Sequence, residues 1–171
     1  TNIGDYSFYG CSSLKKISID YDTLIKEIGN FAFYGCSSLK ELIFTSVIKI
    51  GDYAFCNCSS IWSVSIKHLL KSIGDYAFYK CSSLAQFYYS VCLNSIGDCA
   101  FKKCYNLMNF SFHGSEMTIG YEAFSECESL FGLGISSSVI SVGDFAFSHC
   151  RDLRKITIAS SKTSFGKYIF I

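Results

Sequence analysis

The chain has 171 residues, half of them hydrophobic and 17% aromatic, with no proline. Fifteen basic and fourteen acidic side chains leave a net charge of +1, which removes any bulk electrostatic case for nucleic acid or an anionic membrane. No apolar run approaches the roughly 20 residues a membrane-spanning helix needs, so direct membrane insertion is not expected.

One phrase recurs from end to end. It begins at Ile3, Ile28, Ile50, Ile73, Ile96, Ile119, Val142 and Phe165, with spacings of 25, 22 and then 23 residues. A fixed period in this range marks a repeat array. We expect one solenoid over residues 1–171, with seven full repeats and a truncated eighth, forming part of a longer chain. In such an array each unit buries its apolar side chains against the next, and no single unit folds alone.

Each unit opens with a turn. Its glycine column runs through Gly4, Gly29, Gly51, Gly74, Gly97, Gly120, Gly143 and Gly166 without exception. That pattern predicts either φ > 0 or close approach to a neighbouring coil. Asp5, Asn30, Asp52, Asp75, Asp98 and Asp144 follow, reading as caps on a short helical or 3₁₀ turn; Tyr121 and Lys167 are the exceptions. A small residue, usually Ala, then precedes the invariant Phe8, Phe33, Phe55, Phe78, Phe101, Phe124, Phe147 and Phe170. The turn closes on a cysteine column from Cys11 to Cys150 and a Leu or Ile column from Leu14 to Leu153.

Strands follow the turns. Apolar residues alternate at Ile17 and Ile19, Leu42 and Phe44, Val64 and Ile66, Phe87 and Tyr89, Phe110 and Phe112, Leu133 and Ile135, and Ile156 and Ile158. Period-two alternation rich in β-branched and aromatic residues predicts one short half-buried strand per unit. A linker of about six residues completes the repeat.

The strand segment L-x-x-I-x-I matches the core of the leucine-rich repeat. The whole unit Ile3–Ile19, IGDYSFYGCSSLKKISI, resembles the BspA-like (Treponema pallidum type) leucine-rich repeat. The resemblance implies an α/β repeat solenoid of about 23 residues per repeat: a right-handed curved superhelix, its parallel sheet concave and its short helical or 3₁₀ turns convex. It also implies surface proteins of bacteria and mucosal protists that bind host proteins or other cells. The family commonly places proline just after the strand; here those positions are Asp20, Thr45, Lys67, Ser90, His113, Ser136 and Ala159.

Chemistry-bearing residues are read as scaffold. Seven of the ten cysteines form one column and point inward as small hydrophobes. Cys56, Cys92 and Cys99 lie off it, and no paired CxxC with histidines suggests a zinc site. His68, His113 and His149 occupy different repeat positions and read as solvated surface residues. No triad spacing or glycine-rich phosphate loop is present, so neither an enzyme nor a cofactor is expected. Two sequons, at Asn57 and Asn109, are short enough to arise by chance; a glycan on Asn109 would obstruct the sheet.

Specificity should lie where the phrase fails to repeat. On the sheet the outward columns are mostly small and polar, including Ser63 and Ser65, but Ile43 and Tyr88 stand out, with Trp62 at a strand entry between them. On the turn face the position after the Phe column is Tyr9, Tyr34, Cys56 and Tyr79, then Lys102, Ser125 and Ser148. Ile43, Trp62, Tyr88, Tyr34 and Tyr79 are therefore the candidate partner-binding residues, since aromatic side chains concentrate in binding hot spots. The expected function is a non-enzymatic protein-interaction module, at the cell surface or secreted. The alternative is a cytoplasmic or cytoskeletal scaffold packed into a larger assembly.

Overall fold

The computed structural model describes residues 1–19, 23–67, 69–89, 91–112 and 116–171. The chain winds as a parallel β-solenoid, and each coil contributes up to two strands. The strands are β1 (Asn2–Ile3), β2 (Glu27–Ile28), β3 (Glu41–Phe44), β4 (Lys49–Ile50), β5 (Ser63–Ile66), β6 (Ser72–Ile73) and β7 (Gln86–Tyr89). They continue as β8 (Ser95–Ile96), β9 (Asn109–Ser111), β10 (Met117–Ile119), β11 (Gly132–Ile135), β12 (Val139–Val142), β13 (Lys155–Ile158) and β14 (Ser164–Phe165). The short strands before the glycines form one eight-stranded parallel sheet. This second sheet was not expected, because two-residue strands are too short for alternation to register.

The long strands form two three-stranded parallel sheets, β3-β5-β7 and β9-β11-β13. Their register keeps equivalent repeat positions side by side: Ile43 pairs with Ser65, and Ser65 with Tyr88. The backbone ladder lapses between β7 and β9. There the Tyr89 hydroxyl donates to the Ser111 carbonyl.

The core is a stack of columns. Phe33, Phe55, Phe78, Phe101, Phe124 and Phe147 lie ring on ring, with centroids 5.1 to 5.3 Å apart. The linker also turns inward, burying Ile25, Val47, Leu70, Leu93, Met117 and Val139. At β13, the edge strand of its sheet among the described residues, Ile156 and Ile158 are exposed.

The expected helical or 3₁₀ turns are absent: no helix occurs among the described residues. The second coil shows why. The amides of Phe31, Phe33 and Gly35 donate to carbonyls of Asp52, Ala54 and Cys56 in the next coil, at 2.8 to 2.9 Å. Only the alternate amides, of Ala32, Tyr34 and Cys36, bond back three residues. A helix requires successive amides to bond back along its own axis. The bend also contains left-handed residues at two positions per coil, including Tyr53 (φ 56°) and Asn57 (φ 61°).

The glycine column is kept by close approach rather than by positive φ. A Cβ on Gly74 would lie 2.3 Å from Asp52 Oδ1 and 2.7 Å from the Asp52 nitrogen. Its φ is outside the left-handed region, which in this column of the repeat belongs to the residue two places later.

The Asx column likewise bonds between coils instead of capping its own turn. Asp5 Oδ1 accepts the Asn30 amide at 2.7 Å, Asn30 Oδ1 accepts that of Asp52 at 2.8 Å, and Asp52 Oδ1 that of Asp75 at 2.9 Å. Asp75, Asp98 and Asp144 continue the pattern. A local cap would have bonded an amide of its own turn.

Candidate functional site

The candidate residues occupy two faces. On the long-strand face, Ile43 and Tyr88 are each 56% exposed and Trp62 is 47% exposed. Alternation in β3 puts Leu42 and Phe44 inward and Ile43 outward. Trp62 precedes β5, and its amide donates to the Lys40 carbonyl at 2.9 Å. Ile43 and Trp62 line one shallow groove of about 390 Å³ with Lys15, Lys16, Lys40 and Glu41. Tyr88 lines a separate hollow of about 290 Å³ with Phe87, Met108 and Asn109. The geometry thus joins Ile43 to Trp62 and places Tyr88 in the neighbouring depression.

Ser63 keeps its outward register beside Glu41 and Gln86 but is covered. It is 6% exposed, although its neighbours across the ladder, Glu41 and Gln86, are exposed. A further opening of about 440 Å³ lies over Gly132 and Gly134, between Asn109 and Lys155. It exists because these two outward positions carry no side chain. The post-strand positions Asp20, Ser90 and His113, together with His68, lie outside the described residues.

On the turn face the rings are occupied with one another. Tyr6, Phe31, Tyr53 and Tyr76 form a stack with centroid separations of 4.7 to 5.0 Å. Tyr9 stacks on Tyr34 at 4.9 Å. Tyr34 and Tyr79 are only partly exposed. The Tyr34 hydroxyl accepts a hydrogen bond from Asn57 Nδ2 at 3.2 Å, which engages the amide nitrogen of that sequon. Tyr79 carries Lys80 Nζ 5.3 Å from its ring centre and meets Tyr76 edge-on at 5.6 Å.

Beyond Tyr76 the stack gives way to a polar cluster. Cys99 Sγ donates to Glu122 Oε2 at 3.6 Å, and Lys102 Nζ donates to the same oxygen at 2.6 Å. The hydrogen bond with Cys99 pushes the Tyr76 hydroxyl up to about 12. Burial pushes the Cys56 thiol up to about 11 and the Cys150 thiol to about 12. It also raises Cys81, Cys104 and Cys127 well above the ordinary thiol range. These column thiols donate to Phe carbonyls of the preceding coil, as Cys81 does to Phe55 at 3.1 Å. Thiols held neutral in this way are weak nucleophiles and poor metal ligands. Among the described residues, no group of three or more His, Cys, Asp or Glu side chains is placed to hold a metal ion.

A row at the strand entries escaped the sequence reading. The residue after each Leu-column position is Lys15, Lys40, Trp62, Ala85, Met108, Phe131 and Arg154 in turn. Met108 and Phe131 are 51% and 52% exposed, comparable to Trp62. The available signal was this column itself, read down the repeats rather than along each strand.

The BspA-type leucine-rich repeat region model matches in six copies, over residues 1–131 and 94–171. The chain belongs to this family. Among solved structures, this BspA-type chain is similar to the Treponema pallidum leucine-rich repeat protein, at 29% identity and a TM-score of 0.73. That match covers 96% of this chain and 77% of the other. A leucine rich cell surface protein from Faecalibacterium prausnitzii A2-165 is 36% identical with a TM-score of 0.59, covering 66% of this chain and 31% of its own. A leucine-rich repeat protein from Bacteroides ovatus is 22% identical with a TM-score of 0.50, over 96% of this chain and 56% of the other, a likeness of fold alone. No curated protein matches the chain. Among the described residues, no helix is long and apolar enough to cross a membrane.

Proposed function

We propose that this BspA-type chain is a non-enzymatic protein-interaction module acting at a cell surface or in the secreted space, where it binds host or neighbouring-cell proteins. The observation that carries the reading is the exposed groove of Ile43 and Trp62, with Tyr88 in the neighbouring hollow, on a sheet whose other outward positions are mostly small and polar. Half-exposed aromatic and aliphatic side chains on a rigid sheet are suited to desolvation against a protein partner. The Faecalibacterium relative, described as a cell surface protein, supports the location.

The test is binding of the fluorescently labelled chain to intact epithelial and bacterial cells, measured by flow cytometry. Changing Ile43, Trp62 and Tyr88 together to Ser should abolish binding while leaving the circular dichroism spectrum intact. Equal binding by the variant would rule out this face. A second reading, an internal scaffold, draws on the ten free thiols and the ring-stacked turn face. It predicts sedimentation as a large assembly without cell binding.

A further inference from the structure

We infer that the strand-entry row is a docking seat for an extended protein segment whose apolar centre is flanked by acidic residues. The inference rests on the reading of the chain as a protein-interaction module and names the seat and the partner's chemistry.

Packing does not require apolar residues in this row. Lys15, Lys40 and Arg154 occupy it in other coils, exposed to water. Trp62, Met108 and Phe131 nevertheless fill its middle, each about half exposed. The row is rigid. The Trp62 amide donates to Lys40 O at 2.9 Å, Ala85 to Trp62 O at 3.0 Å, and Met108 to Ala85 O at 3.3 Å. Phe131 then donates to Met108 O at 3.1 Å and Arg154 to Phe131 O at 2.9 Å. These bonds carry the row unbroken past the point where the long-strand ladder stops between β7 and β9.

Charge defines the ends. Lys15, Lys16 and Lys40 gather at one end around a single carboxylate, Glu41. At the other end Arg154 sits 5.5 Å over the Phe131 ring, next to Lys155. None of these cations belongs to an ion pair identified among the described residues. The middle carries uncharged neighbours such as Gln86 and Asn109. A continuous basic strip, which nucleic acid would require, is therefore missing.

Length selects the segment. Lys40 and Arg154 are five coils apart, about 24 Å at a strand spacing of roughly 4.8 Å. An extended chain covers that distance in about seven residues, at roughly 3.3 to 3.6 Å each. The complementary segment therefore carries acidic side chains about seven residues apart, with aromatic or aliphatic residues between them.

The experiment is selection of a random dodecapeptide display library on the whole chain, followed by titration of the synthetic winners. Trp62 is the only tryptophan, so its emission reports on the seat directly. Winners should carry the acidic–apolar–acidic pattern and shift Trp62 emission to the blue. Affinity should fall at least tenfold in M108S/F131S and in K40E/R154E, and more weakly with added salt. A Y6S variant, changed at an exposed ring on the turn face, should bind as the parent does. Absence of winners, winners without the pattern, or unchanged affinity in both row variants would overturn the seat. Winners that are lost only in I43S/Y88S would overturn it while sustaining the module reading.

Discussion

Replacing Asp75 by Ala tests the inter-coil ladder. Asp75 Oδ1 accepts the Asp98 amide at 2.8 Å, and the Asp75 amide donates to Asp52 Oδ1 at 2.9 Å. Truncation removes the first bond and leaves the second. A hydrogen bond to a charged group contributes about 1.5 to 3 kcal/mol, and the exposure of Asp75 favours the lower half of that range, about 2 kcal/mol. Against it stands repulsion from the carboxylates of Asp52 and Asp98, one coil away on either side. At roughly 4.8 Å in water each contributes about 0.9 kcal/mol before screening. Physiological salt roughly halves this, leaving about 1 kcal/mol in all. D75A should therefore lose about 1 kcal/mol near 0.15 M salt, and approach a loss of about 2 kcal/mol at 1 M, where the repulsion it relieves has faded. D75N keeps an acceptor, as Asn30 does naturally, and should stay within about 0.5 kcal/mol of the parent. Urea denaturation followed by circular dichroism at both salt concentrations measures these differences. A D75N variant as weak as D75A, or a D75A loss that shrinks with salt, would refute the reasoning.

Two further outcomes follow from packing and titration. G74A, whose Cβ would strike Asp52, should lose about 1 to 3 kcal/mol or more; G134A, with nothing within 4 Å of its Cβ, should stay within about 0.5 kcal/mol in the same assay. Because folding raises the thiols of Cys56 to about 11 and Cys150 to about 12 from an ordinary 9.0, the unfolded chain releases these protons first. Stability should be fully retained below pH 9 and fall as pH rises toward 11, by about 1.4 kcal/mol per pH unit for each such thiol. A urea midpoint that stays constant from pH 8 to 10.5 would contradict this.

The glycine and phenylalanine columns were legible because repetition reports packing position by position. Eight glycines in one register left two explanations, and the 2.3 Å approach at Gly74 selects contact between coils. The turn was misread for a physical reason. Asx after Gly is a good cap signal, but the same side chain reaches an amide of the next coil just as well, and sequence does not register which neighbour is nearer. The left-handed residues were legible only in part. Gly10, Gly35 and Asn57 suit positive φ, whereas Tyr6, Phe31, Tyr53 and Tyr76 do not announce it. In the latter column the bond from each amide to the next coil, together with the stacked rings, offsets the conformational strain.

The candidate faces divide in the same way. Ile43 and Tyr88 were visible as apolar residues at outward strand positions, and alternation alone placed them there. Tyr34 and Tyr79 looked equally available, yet their rings are engaged within the turn face. Met108 and Phe131 passed unnoticed because neither is unusual within its own repeat; only stacking aligns them with Trp62.

By itself, the sequence determined the repeat, its period, the inward columns and the solenoid class, because each follows from residue type at a fixed spacing. Tertiary structure decided the partners of the backbone and side-chain groups. It made the second sheet of short strands, turned the acidic column into an inter-coil ladder, replaced helical turns with coil-to-coil bonds, and drew single residues from successive coils into one exposed row. Those outcomes depend on distances between coils of roughly 4.8 Å, and residues some 23 positions apart become neighbours only when the stack closes.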